Sequence, residues 1–251
     1  MTLKHKFRRL VQKRLGLDII RYPGHDLLAR TVQMLQYHEV NVVVDVGAND
    51  GAFAASIREV GYAGRIISFE PVSTPFSALS KRAAHDSKWD VYRCVIGANK
   101  GRATINIAGN AALSSSVLPM LDAHIAAGPD TRYIGTETVD QDCLDSILPR
   151  IGVSADDRTF VKLDVQGYEA EVLDGASDLL AGSGIIGLQL ELSLTPLYEG
   201  AMTYREGLER TDALGMCLMG LGPVFTDPVS GRLLQADAIF FRAKSSYPAG
   251  Q

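Results

Sequence analysis

Cysteine is scarce in this sequence. The three cysteines, Cys94, Cys143 and Cys217, are far apart, and no two of them form a C-x-x-C pair. The scarcity excludes the disulfide framework of a small secreted protein, and the missing pairs exclude a zinc ribbon. We therefore expect a protein of a reducing compartment, the cytoplasm.

Long apolar runs are missing as well. No stretch reaches the roughly 18 apolar residues that cross a bilayer, and residues 1–20 lack the apolar core of a secretory signal. We expect a soluble, cytoplasmic protein. The remaining composition is that of a globular chain, because 46% of the 251 residues are hydrophobic and 22% are charged.

Positive charge is in short supply except near the amino terminus. The formal net charge of −4 argues against nucleic acid as the main partner, since phosphate binding needs a basic face. One short stretch nevertheless contains Lys4, Lys6, Arg8, Arg9, Lys13 and Arg14. Apolar residues recur between them at helical spacing, which predicts an amphipathic helix. Two interpretations stay open: the helix packs against the domain, or residues 1–20 make a peripheral contact with the anionic inner membrane surface.

From residue 42 onward, short β-branched runs alternate with helical segments, which is typical of a mostly parallel sheet with helices on both faces. Strands are predicted over residues 42–46, 65–69, 90–96, 104–108, 159–165, 185–192, 216–220 and 238–242. Helices are predicted over residues 27–37, 52–60, 75–85, 141–148, 169–180 and 204–214. Glycine and proline turn signals between the last two strands predict an antiparallel hairpin at the carboxyl end.

Three regions follow from this pattern. Residues 1–40 form an amino-terminal helical extension, residues 41–243 form one α/β domain, and residues 244–251 form a flexible tail. Within the domain, residues 109–137 show no clear period, and a loop of that length is usually functional or mobile.

A glycine-rich turn follows the first predicted strand. The segment Asp45-Val46-Gly47-Ala48-Asn49-Asp50-Gly51 leads into a helix, and Glu70 lies 19 residues beyond Gly51, at the end of the next strand. That interval places an acid near the ribose hydroxyls of a bound nucleoside. An anionic Asp45 in the turn would repel a pyrophosphate but suits a ligand with an ammonium group and a sulfonium, as in S-adenosylmethionine.

Three segments of this sequence together resemble the FkbM-type methyltransferases: Val44 to Gly51, Phe69-Glu70-Pro71, and Lys162 to Glu169. The third segment has the sequence KLDVQGYE. The resemblance covers roughly residues 40–243. It implies a Rossmann-like class I methyltransferase fold with a seven-stranded sheet, and methyl transfer to a hydroxyl oxygen, often on a sugar or a polyketide. The third segment departs from the pattern, since Gln166 stands where many members carry Glu.

The resemblance also implies which residues hold the cofactor, S-adenosylmethionine. Asp45, Gly47, Asn49 and Gly51 would line its methionine end, and Glu70, next to Pro71, would hold its ribose. The pair Ser114 and Ser115 would border the cofactor or the acceptor.

Candidate acceptor-side residues lie at the ends of later strands. Asp164 ends one core strand, Glu191 lies near the end of the next, and Glu169 opens the following helix, so we expect these carboxylates to converge. They would hold hydroxyls, act as the general base, or, through Asp164 and Glu191, bind Mg²⁺. Glu169 has an alternative role as a first-turn acid that favours the helix dipole. His124, in the long loop, is a further candidate base.

Two neighbouring features belong to the same region. Asp140 would join the carboxylates or cap the helix predicted from Gln141. The segment Leu194 to Gly200 would line the acceptor pocket, with Tyr198 as a stacking surface for a sugar ring.

The sequence therefore predicts a cytoplasmic S-adenosylmethionine-dependent O-methyltransferase that acts on a hydroxyl of a sugar, glycolipid or related natural product. The resemblance implies that the acceptor is a small molecule or a lipid-linked sugar. The sequence argues against an NAD-dependent short-chain dehydrogenase, because none of the nine tyrosines has a lysine four residues later. A silent nucleoside-binding or partner-binding module on the same fold remains the alternative.

Overall fold

The computed structural model describes residues 3–17 and 26–243. The tail predicted for residues 244–251 lies outside the described residues. The described helices are α1 Leu3–Leu15, α2 Leu27–Tyr37, α3 Ala52–Glu59, α4 Ser73–Ala83, α5 Asp122–Ala127, α6 Leu144–Arg150, α7 Glu169–Asp174, α8 Ser177–Ala181 and α9 Tyr204–Ala213. The described strands are β1 Val42–Val46, β2 Arg65–Phe69, β3 Trp89–Tyr92, β4 Val95–Ile96, β5 Gly101–Ala108, β6 Tyr133–Asp142, β7 Thr159–Leu163, β8 Ile185–Ser193, β9 Met216–Thr226 and β10 Leu233–Arg242. No helix of these described ranges is long and apolar enough to cross a membrane.

The main sheet has seven strands in the order β3-β2-β1-β7-β8-β10-β9. The five strands from β3 to β8 pair in parallel, whereas β10 pairs antiparallel with both β8 and β9. The mostly parallel sheet and its carboxyl-terminal antiparallel pair confirm the prediction. The chain order reverses beside β1, where β2 lies on one side and β7 on the other, so the ends of these strands border a crevice.

Helices cover both faces of the sheet, because alternate residues of each central strand point to opposite sides. In β1, Val42, Val44 and Val46 pack with residues of α6, α7 and α8. Val43 instead packs with α2, α3 and α4, among them Leu35 and Ile57. Both cores exclude water from the centre of the sheet, which explains why β1, β7 and β8 are buried along their whole length.

Helix α2 belongs to this core. Val32 and Leu35 are buried in the same cluster as strands β1 and β2, and Leu27 lies against Gly220 and Gly222 of β9. The prediction grouped residues 27–37 with the amino-terminal extension, but in the structure they pack on the sheet.

A second, three-stranded sheet was not predicted. Its order is β4-β6-β5, with β6 parallel to β4 and antiparallel to β5. The single strand predicted over residues 90–96 was wrong, since β3 joins the main sheet and β4 joins the second. The long loop predicted over residues 109–137 was also wrong in part, since it contains α5, a 3₁₀ turn and the beginning of β6.

The start of α6 also differs from the prediction, because strand β6 of the second sheet was not predicted. Residues 141 and 142 complete β6, so the helix begins at Leu144 rather than at Gln141. Asp140 therefore does not cap a helix; it lies in β6, is exposed, and pairs loosely with Arg102 at 3.9 Å. It does not join the carboxylates at the end of β7 and β8.

The helix predicted over residues 169–180 is divided into α7 and α8 by Gly175. A Cβ atom at Gly175 would lie 2.1 Å from the carbonyl oxygen of Gly97, which follows β4. The break between the helices lets the backbone at Gly175 lie directly against the backbone of Gly97. This contact connects the helices of the main sheet to the second sheet.

Candidate active site

A cleft opens where β1, β2 and β7 end and the second sheet faces them. The space inside this cleft, its open mouth included, is about 620 Å³, within the roughly 300–1,000 Å³ of small-molecule sites. Its polar lining comes from the main sheet and one loop: Gly47, Asn49, Glu70, Asp164, Gln166, Ser115 and Ser116. Its apolar lining includes Pro71, Val95, Ile96, Ile105, Leu113 and Val117.

The turn after β1 is fixed by two glycines with positive φ. A Cβ at Gly47 (φ 81°) would lie 1.9 Å from the carbonyl oxygen of Asp164, so only glycine lets this turn touch the loop after β7. A Cβ at Gly51 (φ 83°) would meet the side chains of Leu79 and Trp89. Gly47 lines the cleft, whereas Gly51 packs against the core beneath it.

Glu70 holds the next turn together. Its Oε2 accepts a hydrogen bond of 2.8 Å from the backbone N–H of Asn49, and its Oε1 accepts one of 2.8 Å from that of Val72. Burial raises the pKa of this carboxyl to about 7. Each oxygen keeps a second lone pair for a ligand hydroxyl, so Glu70 and the adjacent Pro71 remain at the cleft wall where the prediction places a ribose.

Asp45 lies beneath the cleft rather than in the turn. It belongs to β1, has no exposed surface, and its Oδ1 is 3.5 Å from Nζ of Lys162. Burial raises the pKa of Asp45 against the opposing influence of the lysine. The ammonium group of Lys162 also lies 5.2 Å from the ring centroid of Phe53. Asp45 is therefore part of a buried charge pair, and it does not line the space predicted for the methionine end.

Asp164 is the acceptor-side carboxylate that reaches the cleft. Its side chain is 35% exposed, with Oδ2 3.0 Å from Nζ of Lys162. Its Oδ1 accepts a 2.9 Å hydrogen bond from Nε2 of Gln166. Burial would lower the pKa of Lys162, but the two adjacent carboxylates raise it, so the lysine stays charged. The donors of Lys162 and Gln166 thus fix the orientation of the Asp164 carboxylate.

Gln166 connects this carboxylate to the core. With φ of 54° it occupies a strained conformation, and its Nε2 also donates to Oε2 of Glu191 at 2.9 Å. Its Oε1 accepts a 2.7 Å hydrogen bond from the hydroxyl of Tyr198, and its backbone carbonyl accepts one from Ser116 at 2.7 Å. The side-chain amide therefore satisfies three groups, and the backbone carbonyl of the same residue satisfies a fourth.

Glu191 lies behind Gln166 and does not line the cleft. Its Oε2 accepts a second hydrogen bond, of 2.7 Å, from Nε2 of Gln235, and burial raises its pKa well above the usual value. The amide of Gln166 stands between Glu191 and Asp164, and Lys162 is already on Asp164, so the pair does not fit the Mg²⁺ site predicted for it. The described residues hold no group of three or more His, Cys, Asp or Glu side chains that could bind a metal.

Glu169 is also buried, but it serves the loop that carries Gln166. Its Oε1 accepts hydrogen bonds from the backbone N–H of Val165 at 3.2 Å and of Gly167 at 3.3 Å. Burial raises its pKa to about 7. The carboxyl thus closes the turn between β7 and α7 and does not meet Asp164 and Glu191 at a shared rim.

Of the remaining candidates, one lines the cleft and the others are buried. Ser115 lines the cleft, whereas Ser114 is buried with its Oγ 3.4 Å from Nε2 of His124. His124 is 2% exposed, and burial lowers its pKa to about 4. Tyr198 is 1% exposed, and its hydroxyl also bonds to the backbone of Ser114. Neither ring reaches the cleft, so neither His124 as base nor Tyr198 as stacking surface fits its predicted role.

Sequence reasoning missed two parts of this site. One is the apolar wall, because β4 and β5 were not placed next to the main sheet. The other is the connection through Lys162 and Gln166. A signal for Lys162 was present: it is the one charged residue of the buried strand Thr159–Leu163, and a buried charge needs a partner.

Comparisons with known proteins bear on this geometry. No curated protein sequence matches the chain. Among solved structures, magnesium protoporphyrin IX methyltransferase from Synechocystis PCC 6803 with bound S-adenosylmethionine is 10% identical, with a TM-score of 0.48 and 97% of this chain and 98% of that chain covered. Precorrin-6y C5,15-methyltransferase from Geobacter metallireducens GS-15 is 13% identical, with a TM-score of 0.46 and 88% and 90% covered.

The family comparison is specific. The model of the FkbM methyltransferase domain matches residues 45–215, more than half of the chain. The match begins at β1 and includes the turn after it, Glu70 and the loop after β7, which together form the cleft. This chain belongs to the FkbM methyltransferase domain family, and its cofactor is S-adenosylmethionine.

Proposed function

We propose that this protein methylates a hydroxyl oxygen of a sugar, a glycolipid or a related natural product, with Asp164 as the general base. The observation that carries the proposal is the placement of Asp164: a carboxylate held by Lys162 and Gln166, on the cleft wall, where the backbone of Gly47 touches its own. A hydroxyl acceptor must lose a proton during transfer, and a fixed carboxylate can accept it.

The residues present fit the cofactor. S-adenosylmethionine supplies an electrophilic methyl group on a positively charged sulfur. Glu70 and Asn49 offer the acceptor and donor groups that a ribose needs, and the wall with Val95, Ile96 and Ile105 offers an apolar surface to a base. The Asp164 carboxylate, together with Glu70 where the pH is high enough to ionise it, favours a ligand that carries positive charge.

Asp164 has two tasks in this mechanism. It would accept a hydrogen bond from the acceptor hydroxyl, which orients an oxygen lone pair, and it would take the hydroxyl proton. The bound cofactor would supply the methyl group, and its sulfur would leave as a neutral thioether when the methyl–sulfur bond breaks. Lys162 and Gln166 hold the carboxylate still meanwhile. Ser115, on the facing loop, supplies a further polar group for a hydroxyl-rich acceptor.

The test is incubation with methyl-labelled cofactor and a panel of sugars and lipid-linked glycans, with and without EDTA. We expect label in an acid-stable, base-stable ether, and no loss with EDTA, because the Asp164 and Glu191 donors do not fit a metal. The variant Asp164→Asn should lower kcat by about 10²-fold or more. Asp140→Asn, an exposed carboxylate on β6, is the control and should keep full activity.

Calorimetry with S-adenosylmethionine separates the alternatives. Cofactor binding without transfer to any acceptor would favour a silent binding module. Transfer by Asp164→Asn at the unchanged rate would remove Asp164 as the base.

A further inference from the structure

Helix α1 exposes three large apolar side chains. Phe7, Leu10 and Leu15 are 61%, 52% and 67% exposed, and they lie at the helical spacing that places them on one side. Large exposed apolar groups on one face of a helix mark a surface that another apolar medium covers.

A helix of this length needs such a medium. With 13 residues, α1 is about 20 Å long, and isolated helices shorter than roughly 12–15 residues are marginal in water. Lys13 and Arg14 lie in the last turn, where positive charges interact favourably with the helix dipole. That contribution is small compared with the burial of an apolar face, so the stability of α1 depends on what covers it.

The charges of this segment distinguish it from the rest of the protein. Residues 1–17 contain six Lys and Arg residues and no Asp or Glu, whereas the other residues contain 19 Lys and Arg against 29 Asp and Glu. A surface that attracts α1 while it repels the remainder is anionic. Three large apolar side chains add little on a nucleic-acid backbone, but in a lipid interface they enter the acyl boundary while Lys and Arg meet the headgroups.

We propose that α1 is an interfacial helix that binds the anionic lipid surface of a membrane. Among the described helices, only α1 combines a basic surplus of this size with an uncovered apolar face. The acidic remainder of the protein is repelled by an anionic surface. This binding requires neither methyl transfer nor a particular acceptor, and it would deliver the cleft to lipid-linked acceptors.

The test is flotation of the full chain with two kinds of vesicle. One kind is pure phosphatidylcholine, and the other contains about one part phosphatidylglycerol to three parts phosphatidylcholine. We expect recovery with the anionic vesicles only, decreasing as the salt concentration rises, because salt screens the attraction. No methyl donor is present, so failure here is distinct from failure of the proposed function.

Two variants separate the apolar contribution from the charged one. Phe7→Ser with Leu10→Ser, and Lys13→Glu with Arg14→Glu, should each lower the partition coefficient at least about tenfold. The matched controls are Leu221→Ser with Val229→Ser, which are exposed apolar residues of the β9 to β10 region, and Lys100→Glu with Arg102→Glu. These controls should bind within about twofold of the unchanged protein.

A spectroscopic variant reports insertion directly. The chain has one tryptophan, Trp89, and it is buried, so Phe7→Trp adds a single exposed reporter whose emission should shift to the blue with anionic vesicles. Equal recovery of the variants and their controls, binding to neutral vesicles alone, or an unshifted spectrum would overturn the proposal. So would a fall in oligomer mass for Phe7→Ser with Leu10→Ser while vesicle binding is unchanged, since a second copy would then cover α1.

Discussion

At the scale of single residues, Gln166 determines how the acceptor side is built. One amide nitrogen donates to two carboxylates, Asp164 and Glu191, and the amide oxygen accepts from Tyr198. A glutamate at this position would place three carboxyl groups together, and they would need shared protons to coexist. The glutamine avoids that requirement, and it keeps Asp164 available to the cleft.

Gln166→Glu tests this arrangement. We expect the free energy of unfolding to fall by about 2 kcal/mol at pH 8, because a buried donor is replaced by a third acid. The loss should shrink at pH 5.5, where a proton can bridge two of the carboxyls. Urea unfolding at both pH values measures it, with Gln33→Glu, on the exposed side of α2, as the control. An equal loss at both pH values would contradict the shared-proton explanation.

Glu169 makes a second prediction, about pH. Its pKa rises from its ordinary 4.5 to about 7 in the folded protein, so between these values the folded chain binds a proton that the unfolded chain has released. The stabilisation is complete below pH 4.5 and is lost as the pH rises through 7. Glu169→Gln keeps an oxygen acceptor for Val165 and Gly167 but does not titrate. Its unfolding free energy relative to the original chain should therefore increase by about 3 kcal/mol between pH 4.5 and 8; a difference that does not change with pH would refute the assignment.

At the scale of elements, the parallel strands were predictable from sequence and the second sheet was not. Strands β1, β2, β7 and β8 are apolar runs buried on both faces, so each has a strong local signal. Strand β6 is mostly exposed and rich in Thr, Glu and Asp, and its pairing with β5 supplies the stability that its own composition lacks. The apolar wall of the cleft depends on that pairing.

In the candidate site, too, only residues with a strong local sequence signal could be predicted. Glu70 and Gly47 could be placed because each belongs to a motif of fixed spacing. The interior positions of Asp45, Glu169 and His124 could not, since they depend on which face of a strand or loop turns towards the core.

The break between α7 and α8 provides a test at this scale. Gly175→Ala would place a methyl group 2.1 Å from the carbonyl oxygen of Gly97, so the two segments must separate. We expect a loss of about 1–3 kcal/mol in unfolding free energy. Gly135→Ala in β6 is the control, because nothing lies within 4 Å of its added methyl group. If both variants lost the same amount, the contact between α7 and β4 would not explain the break.

At the scale of the whole molecule, the protein divides differently from the way its sequence pattern suggested. The pattern grouped residues 1–40 as one extension, but α1 exposes Phe7, Leu10 and Leu15 whereas α2 buries Val32 and Leu35 in a core shared with the sheet. The boundary that matters for stability therefore lies between α1 and α2.

Two variants check this division. Removal of residues 1–17 should change the free energy of unfolding by no more than about 0.5 kcal/mol, as for surface changes in general, because Phe7, Leu10 and Leu15 are already more than half exposed to water. Leu35→Ala, in contrast, should cost about 2–5 kcal/mol, because it leaves a cavity between α2 and the sheet. Urea unfolding of both, with cofactor affinity measured by calorimetry, decides the matter. A large loss on removal of residues 1–17 would mean that α1 packs on the domain in solution, and the first of the two interpretations of the basic helix would then hold.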